Sequence, residues 1–238
     1  MEPEKQKRDY LLPASILIAG LMVTVALVYN AGKKTENQAA NLADSAAASA
    51  QLPSPANMKP ISEADHILGD PNAPLKIVEF SDLECPFCKV FHATLHQVMQ
   101  TYAGKIAWIY RQFPIPQLHP KAPHEAQAAE CAAKLGGNDK FWAFIDNVFE
   151  ITPSNNGLDP AELPKIASNI GLDVAQFNSC LASTYGQDKI QNDTADAGNS
   201  GAQGTPYAVV VNSSGKKFVI NGALPFDQVS AIINTALK

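Results

Sequence analysis

Glu79-Phe80-Ser81-Asp82-Leu83-Glu84-Cys85-Pro86-Phe87-Cys88 is the stretch on which the reading of this chain turns. It follows Leu75-Lys76-Ile77-Val78, which is apolar and β-branched as a buried strand requires. It precedes Phe91, Leu95, Val98 and Tyr102, which recur at helical spacing. The ten residues therefore read as the end of a strand, a short loop and the first turn of a helix. Pro86 suits that turn, because its missing N–H would have had no partner there. The helix is expected to stop near Ala103, with Gly104 available as a left-handed cap.

A thiol at a helix N-terminus meets unpaired N–H groups and the positive end of the helix dipole. Both favour thiolate over thiol, so Cys85 is expected to have a lowered pKa and to act as the exposed nucleophile. Cys88 lies one turn further in on the same face, close enough to close a disulfide with Cys85. Such a pair can pass a disulfide to or from another protein. The competing reading is half of a zinc site, which needs two more ligands. No second Cys-x-x-Cys exists, and His92 and His96 have no sulfur pair near them in sequence. No metal is expected, and no cofactor beyond the redox-active disulfide Cys85–Cys88.

The stretch resembles the active site of the DsbA-like (DsbA/BdbD-type) branch of the thioredoxin superfamily, which carries an acid six residues before the first cysteine. Glu79 holds that place. The family also carries a cis-proline loop late in the chain, and Gly204-Thr205-Pro206 before the apolar run Tyr207–Val211 matches it. The resemblance covers roughly residues 60–238. It implies a thioredoxin-like α/β fold with an inserted helical domain. It also implies a cis Thr205–Pro206 bond packed against the disulfide, leaving the Thr205 backbone free to pair with an extended substrate strand. One dipeptide departs: Pro86-Phe87 stands where strongly oxidising members have Pro-His, which bears on the redox couple and not on the fold. Glu79 is either a surface carboxylate or a partly buried acid beneath the cysteines. Burial would raise its pKa and let it carry protons to and from the Cys88 side.

The chain of 238 residues suits one folded domain plus extras, and a net charge of −5 gives no footprint for nucleic acid. Residues 1–10 read as a cytoplasmic tail. Residues 11–29 carry no charge and would span roughly 28 Å as a helix, about the hydrocarbon thickness of a bilayer. No small-x-small cleavage site follows directly, so an uncleaved transmembrane signal-anchor is expected rather than a cleaved signal peptide. Residues 30–59, rich in Ala, Ser, Gln and Asn, read as a flexible linker.

Ile106–Phe113 reads as a second strand, completing a βαβ unit. A helical insertion is expected over residues 117–200, with helices at Ala122–Leu135, Lys140–Glu150, Ala161–Ile170 and Val174–Leu181. A further helix over Gln187–Ala197 leads back to the sheet. Tyr207–Asn212 and Lys217–Asn221 read as a hairpin, and Pro225–Leu237 as a last amphipathic helix. The thioredoxin-like domain is thus 60–116 together with 201–238. The aromatic run over 141–149 is expected to be core rather than a peptide groove. His119 and His124 read as surface or capping residues, with the active-site rim as the alternative. Cys131 and Cys180 are expected to form a structural disulfide, because a leftover thiol outside the cytosol is a hazard; two buried free thiols are the alternative.

The expected function is a membrane-anchored, extracytoplasmic thiol:disulfide oxidoreductase. It would donate the Cys85–Cys88 disulfide to reduced secreted or envelope proteins and be reoxidised by a DsbB- or VKOR-type membrane thiol oxidase. The alternatives are a reductase or isomerase, or a tethered chaperone-like binding module with a permanent disulfide.

Overall fold

Strand β2 (Leu75–Ser81) is buried on both faces, as a near-continuous apolar run in a parallel pair requires. It lies in a computed structural model that describes residues 52–238. The expected cytoplasmic tail, the transmembrane segment 11–29 and linker residues 30–51 fall outside the described residues. Among the described residues, no helix is long and apolar enough to cross a membrane.

Helix α1 (Pro86–Thr101) connects β2 to its parallel partner β3 (Ile106–Gln112). Strands β1 (His66–Leu68), β4 (Tyr207–Asn212) and β5 (Lys217–Asn221) are antiparallel to their neighbours, giving the order β1-β3-β2-β4-β5. The period of two sorts the side chains. Leu75 and Ile77 join Trp108, Tyr110, Ala208 and Val210 in a core that includes Phe91 and Leu95 of α1 and Ile233 of the last helix, Phe226–Ala236. Val78 and Phe80 join Ala107, Ile109 and Val209 on the opposite face. Glu79 falls on the α1 side, in register with Tyr110.

The insertion begins with α2 (Ala122–Ile151), which is broken at Gly137 (φ 77°, ψ −169°). Glycine takes that backbone without a Cβ penalty, so the span is two helices meeting at a break. Helices α3 (Glu162–Asn169) and α4 (Val174–Leu181) close over it, and Phe141, Phe144, Ile145, Val148, Leu163 and Phe177 are buried together. The aromatic run is therefore core. A disulfide joins Cys131 of α2 to Cys180 of α4, 49 positions apart.

Two expected boundaries are corrected by long-range polar contacts. The linker does not extend to residue 59: Met58 is buried, and the Ser54 N–H donates to Asn199 O at 2.9 Å. The anchor is Arg111 on β3. Its Nε and Nη2 donate to the two oxygens of Asp65 (2.8 and 3.0 Å), Nη1 to Asp196 Oδ2 (2.6 Å), and Nη1 and Nη2 to Lys59 O and Pro60 O (both 3.1 Å). All five guanidinium N–H donors are thus used, which offsets the cost of burying the charge. The insertion also ends earlier than residue 200. Helix α5 (Gln187–Asn199) packs Ala197 into the second face of the sheet, and Asp193 Oδ2 accepts the Gln112 N–H at 3.1 Å. Strand β1 was not anticipated. It is three residues long and is held by His66, which stacks on Phe141 (3.5 Å between ring centroids) and reaches Glu130 at 3.0 Å.

Opening the Cys131–Cys180 bridge frees a loop of 49 positions, worth up to about 4 kcal/mol in the chain-entropy picture. The double variant Cys131→Ala/Cys180→Ala is expected to unfold at clearly lower urea concentration than the parent. Alkylation of the unreduced, unfolded parent should label neither position, and an unshifted midpoint would deny the bridge a stabilising role.

Candidate active site

Cys85 is the N-cap of α1, in extended conformation (φ −77°, ψ 122°), with Pro86 next at the first helical position. Its carbonyl accepts the Lys89 N–H at 3.1 Å, starting the helix, while its side chain makes no capping bond. The sulfur is thus left at the mouth of the helix. Asp82 shapes the turn before it. Asp82 O accepts the Cys85 N–H (3.1 Å), Oδ1 accepts the Glu84 N–H (2.9 Å), and Oδ2 accepts the Ile115 N–H (2.8 Å) and meets His119 Nδ1 (3.0 Å). The Asp82 N–H in turn points at Cys88 Sγ, 3.5 Å away.

The Thr205–Pro206 peptide is cis, and Cys85 Sγ lies 3.5 Å from Thr205 O. Cys85 is not the open thiol expected. It keeps 5% of its surface against none for Cys88, because the Thr205 loop lies against it. Phe87 in the intervening dipeptide is 64% exposed.

The two sulfurs are electrostatically unequal. Hydrogen bonding from the Cys88 thiol, helped by the Cys88 and Phe87 backbone N–H groups, outweighs burial and brings the Cys85 pKa down to about 6. Burial, then the neighbouring Cys85 and Glu79, push Cys88 well up. Glu79 is fully buried, so the surface-carboxylate alternative fails. Trp108 Nε1 donates to its Oε2 at 2.9 Å, and Oε1 has no partner among the described residues. Burial raises its pKa to about 7.

Three residues at this site, Asp82, Glu84 and Glu125, escaped the sequence reading of function. Asp82 is the hub of the turn. His119, expected as a surface or capping residue with the active-site rim as the alternative, is buried against it. Glu84 is also buried. Its carboxylate accepts the N–H groups of Asn156, Gly157 (3.2 Å) and Leu158 (3.2 Å), and its carbonyl accepts that of Asn155 (2.8 Å). Ser154, Asn155 and Asn156 all have positive φ, which turns successive N–H groups toward one anion. The α2–α3 loop of the insertion is thereby clamped to the residue before Cys85. Glu125 completes the group: burial and then the adjacent Glu84 raise its pKa to about 9, so it keeps its proton at neutral pH. The signal available in sequence was only Asp82 and Glu84 flanking the motif. His124 sits in a separate groove with Pro120, Gln127 and Gln187.

Comparison with known proteins agrees with this geometry. The family model described as Thioredoxin matches residues 61–235. DsbA2 of Pseudomonas aeruginosa superposes with a TM-score of 0.64 at 28% identity, covering 74% of this chain and 96% of that one. Alpha-DsbA1 of Wolbachia pipientis gives 0.65 at 25% identity, over 77% and 95%. BdbD of Bacillus subtilis gives 0.65 at 23% identity, over 76% and 96%, a likeness of fold. Among curated proteins, a Na(+)/H(+) antiporter NhaA 3 of Salinispora tropica is 32% identical over 144 residues, 60% of this chain. The chain spans about a fifth of the length of that relative, 21%. With the motif at the strand–helix junction, the cis-proline loop beside it and the helical insertion above, the chain belongs to the DsbA-like branch of the thioredoxin superfamily.

Proposed function

We propose that this protein donates the Cys85–Cys88 disulfide to reduced proteins outside the cytosol. The observation that carries the reading is the inequality of the two sulfurs. Cys85 is a stabilised thiolate at the helix mouth and Cys88 is a buried thiol of raised pKa. In the first step a substrate thiolate attacks Cys85 Sγ. A substrate–Cys85 bond forms, the Cys85–Cys88 bond breaks, and Cys88 departs as a thiolate. Its raised pKa makes it a poor leaving group unless a proton arrives, and Glu79, a buried acid with a pKa of about 7 whose charge acts on Cys88, would supply one. In the second step another substrate thiolate attacks the substrate sulfur and expels Cys85. The low pKa of Cys85 makes that departure fast. Two electrons pass from the substrate dithiol to the cysteine pair.

The uncharged segment 11–29 supports a membrane anchor, and disulfide donation, which has work to do outside the cytosol, supports an extracytoplasmic folded unit. A disulfide donor must be reoxidised, which implies a membrane thiol oxidase of the DsbB or VKOR type as partner. Reductase or isomerase action by the same pair is separated from donation by the redox potential. Within the superfamily that potential runs from about −120 mV for DsbA to about −270 mV for thioredoxin. A value between these limits is expected, measured by equilibrating the protein in glutathione buffers. A potential as low as thioredoxin's, without oxidation of a reduced unfolded substrate, would move the assignment to a reductase. A Cys85–Cys88 bond that glutathione cannot open would favour a binding module.

The roles of the sulfurs are tested by trapping. Cys88→Ala should accumulate mixed disulfides with substrate, and Cys85→Ser none; equal trapping by both variants would defeat the assignment of roles. Alkylation of reduced Cys85 should follow a midpoint near pH 6.

Glu79 leaves a signature in stability. Its folded pKa of about 7 lies above the ordinary 4.5, so the folded state keeps the proton longer. Its contribution therefore falls as pH rises from about 4.5 to about 7, by about 3 kcal/mol. Cys85 acts in the opposite sense in the reduced protein, adding stability as pH rises from about 6 towards 9. Glu125, with a pKa of about 9, loses stability over the same range in parent and variant alike, so the Glu79 share is read as the difference between them. Glu79→Gln should lessen the loss between about pH 4.5 and 7 and slow substrate oxidation. Urea unfolding of the reduced proteins across this range reads the difference, and identical pH profiles for variant and parent would exclude a titrating Glu79.

A further inference from the structure

His92 and His96 stand one turn apart on α1, and Asp146 faces them from the second half of α2. His92 Nε2 lies 2.7 Å from Asp146 Oδ1 and His96 Nε2 lies 3.0 Å from the same oxygen. The two Nε2 atoms are 3.1 Å apart. Hydrogen bonding satisfies only part of this triangle, since each Nε2 carries at most one proton. If both protons point at Asp146, its Oδ1 accepts both, but the two N–H groups then crowd side by side with their nitrogens 3.1 Å apart and nothing favourable between them. If one proton points at the other imidazole, the accepting nitrogen turns its lone pair towards the carboxylate. A cation makes all three contacts favourable at once. Donor atoms at these separations fit around one ion at about 2.0–2.2 Å.

We propose that His92, His96 and Asp146 bind a divalent transition-metal ion of the zinc class, with water completing its shell. Two imidazoles and one carboxylate suit Zn²⁺, Ni²⁺ or Cu²⁺ better than Mg²⁺ or Ca²⁺, which take oxygen donors. The spacing of four residues puts both imidazoles on one helix face, and the second helix supplies the third donor. The rings are held by packing: His92 against Trp108 (5.0 Å between centroids) and Phe149 (4.5 Å), His96 edge-on to Trp108 (5.3 Å). The His92 side chain is 7% exposed, while His96 and Asp146 are 37% and 41% exposed. The ion is thus seated on a fixed base and open to solvent above. His92 Nδ1 is buried with no partner among the described residues. Without an acceptor behind that ring, binding is weaker than in a closed four-ligand site. The proposal does not depend on the redox reading of the cysteine pair.

The test uses the full chain carrying Cys85→Ser and Cys88→Ser, so that thiolates do not compete. Zn²⁺ and Co²⁺ are titrated as the ions alone. Co²⁺ is followed by visible absorption and by quenching of tryptophan fluorescence; the chain has 2 tryptophans, and Trp108 packs on both imidazoles. One ion per chain is expected, not displaced by Mg²⁺. His96→Ala and Asp146→Asn, each checked for folding by circular dichroism, should weaken binding at least about tenfold. His124→Ala should leave it unchanged. Should a ligand variant fail to fold, protection of His96 from diethylpyrocarbonate by Zn²⁺ in the chain with its ligands intact answers the same question. No uptake at millimolar Zn²⁺, full affinity in both folded ligand variants, or no protection of His96 would overturn the proposal.

Discussion

A thiolate that keeps only 5% of its surface in water must find its hydrogen-bond donors in the protein. Cys85 finds them in the Cys88 thiol and in the first backbone N–H groups of α1. Much of the surrounding architecture holds that arrangement. Strand β2, fixed on both faces and paired on both edges, ends at Ser81, so the chain must turn there. Asp82 sets the turn, Pro86 starts the helix, and the Thr205 carbonyl lies across the sulfur. The helical insertion joins through Glu84, whose carboxylate gathers the N–H groups of the α2–α3 loop one residue before the nucleophile. The insertion is thereby tied by hydrogen bonds directly to the active-site turn.

Glu79, Asp82, Glu84 and Glu125 are all buried around the active-site turn. Glu79 and Glu125 keep their protons to about pH 7 and about pH 9, because burial penalises their ionised forms. Asp82 and Glu84 instead accept backbone N–H bonds.

The elements legible in the sequence were those with a local pattern. Strand β2 follows from its apolar, β-branched run, β3 from alternation, β4 and β5 from the turn between them and helix α1 from recurrence near 3.6, and the cysteine pair falls at the junction of β2 and α1. What could not be read depends on contacts between polar residues far apart in the chain. Arg111 meets Asp65 and Asp196, and these contacts pull the N-terminal arm and α5 onto the sheet without any periodic trace. Glu84 reads as a solvated loop acid until the positive-φ run at 154–156 is placed above it. His92 and His96 announce themselves by spacing, whereas Asp146 gains meaning only from the crossing of two helices.

Phe87 replaces the histidine of the strongly oxidising relatives, and the structure bears on how much that removes. Its side chain is 64% exposed, so a charge at this position would interact with Cys85 partly through water, where Coulomb energies are small. The groups that stabilise the thiolate most are the Cys88 thiol and the backbone, and the residue-87 contribution is its N–H, which any side chain but proline's leaves in place. The Cys85 pKa of about 6 is reached with phenylalanine present. On the proposed reading, the Cys88 thiol first, and then the backbone N–H groups at the start of α1, supply the stabilisation of the reduced form, and the side chain at position 87 would only trim the resulting potential.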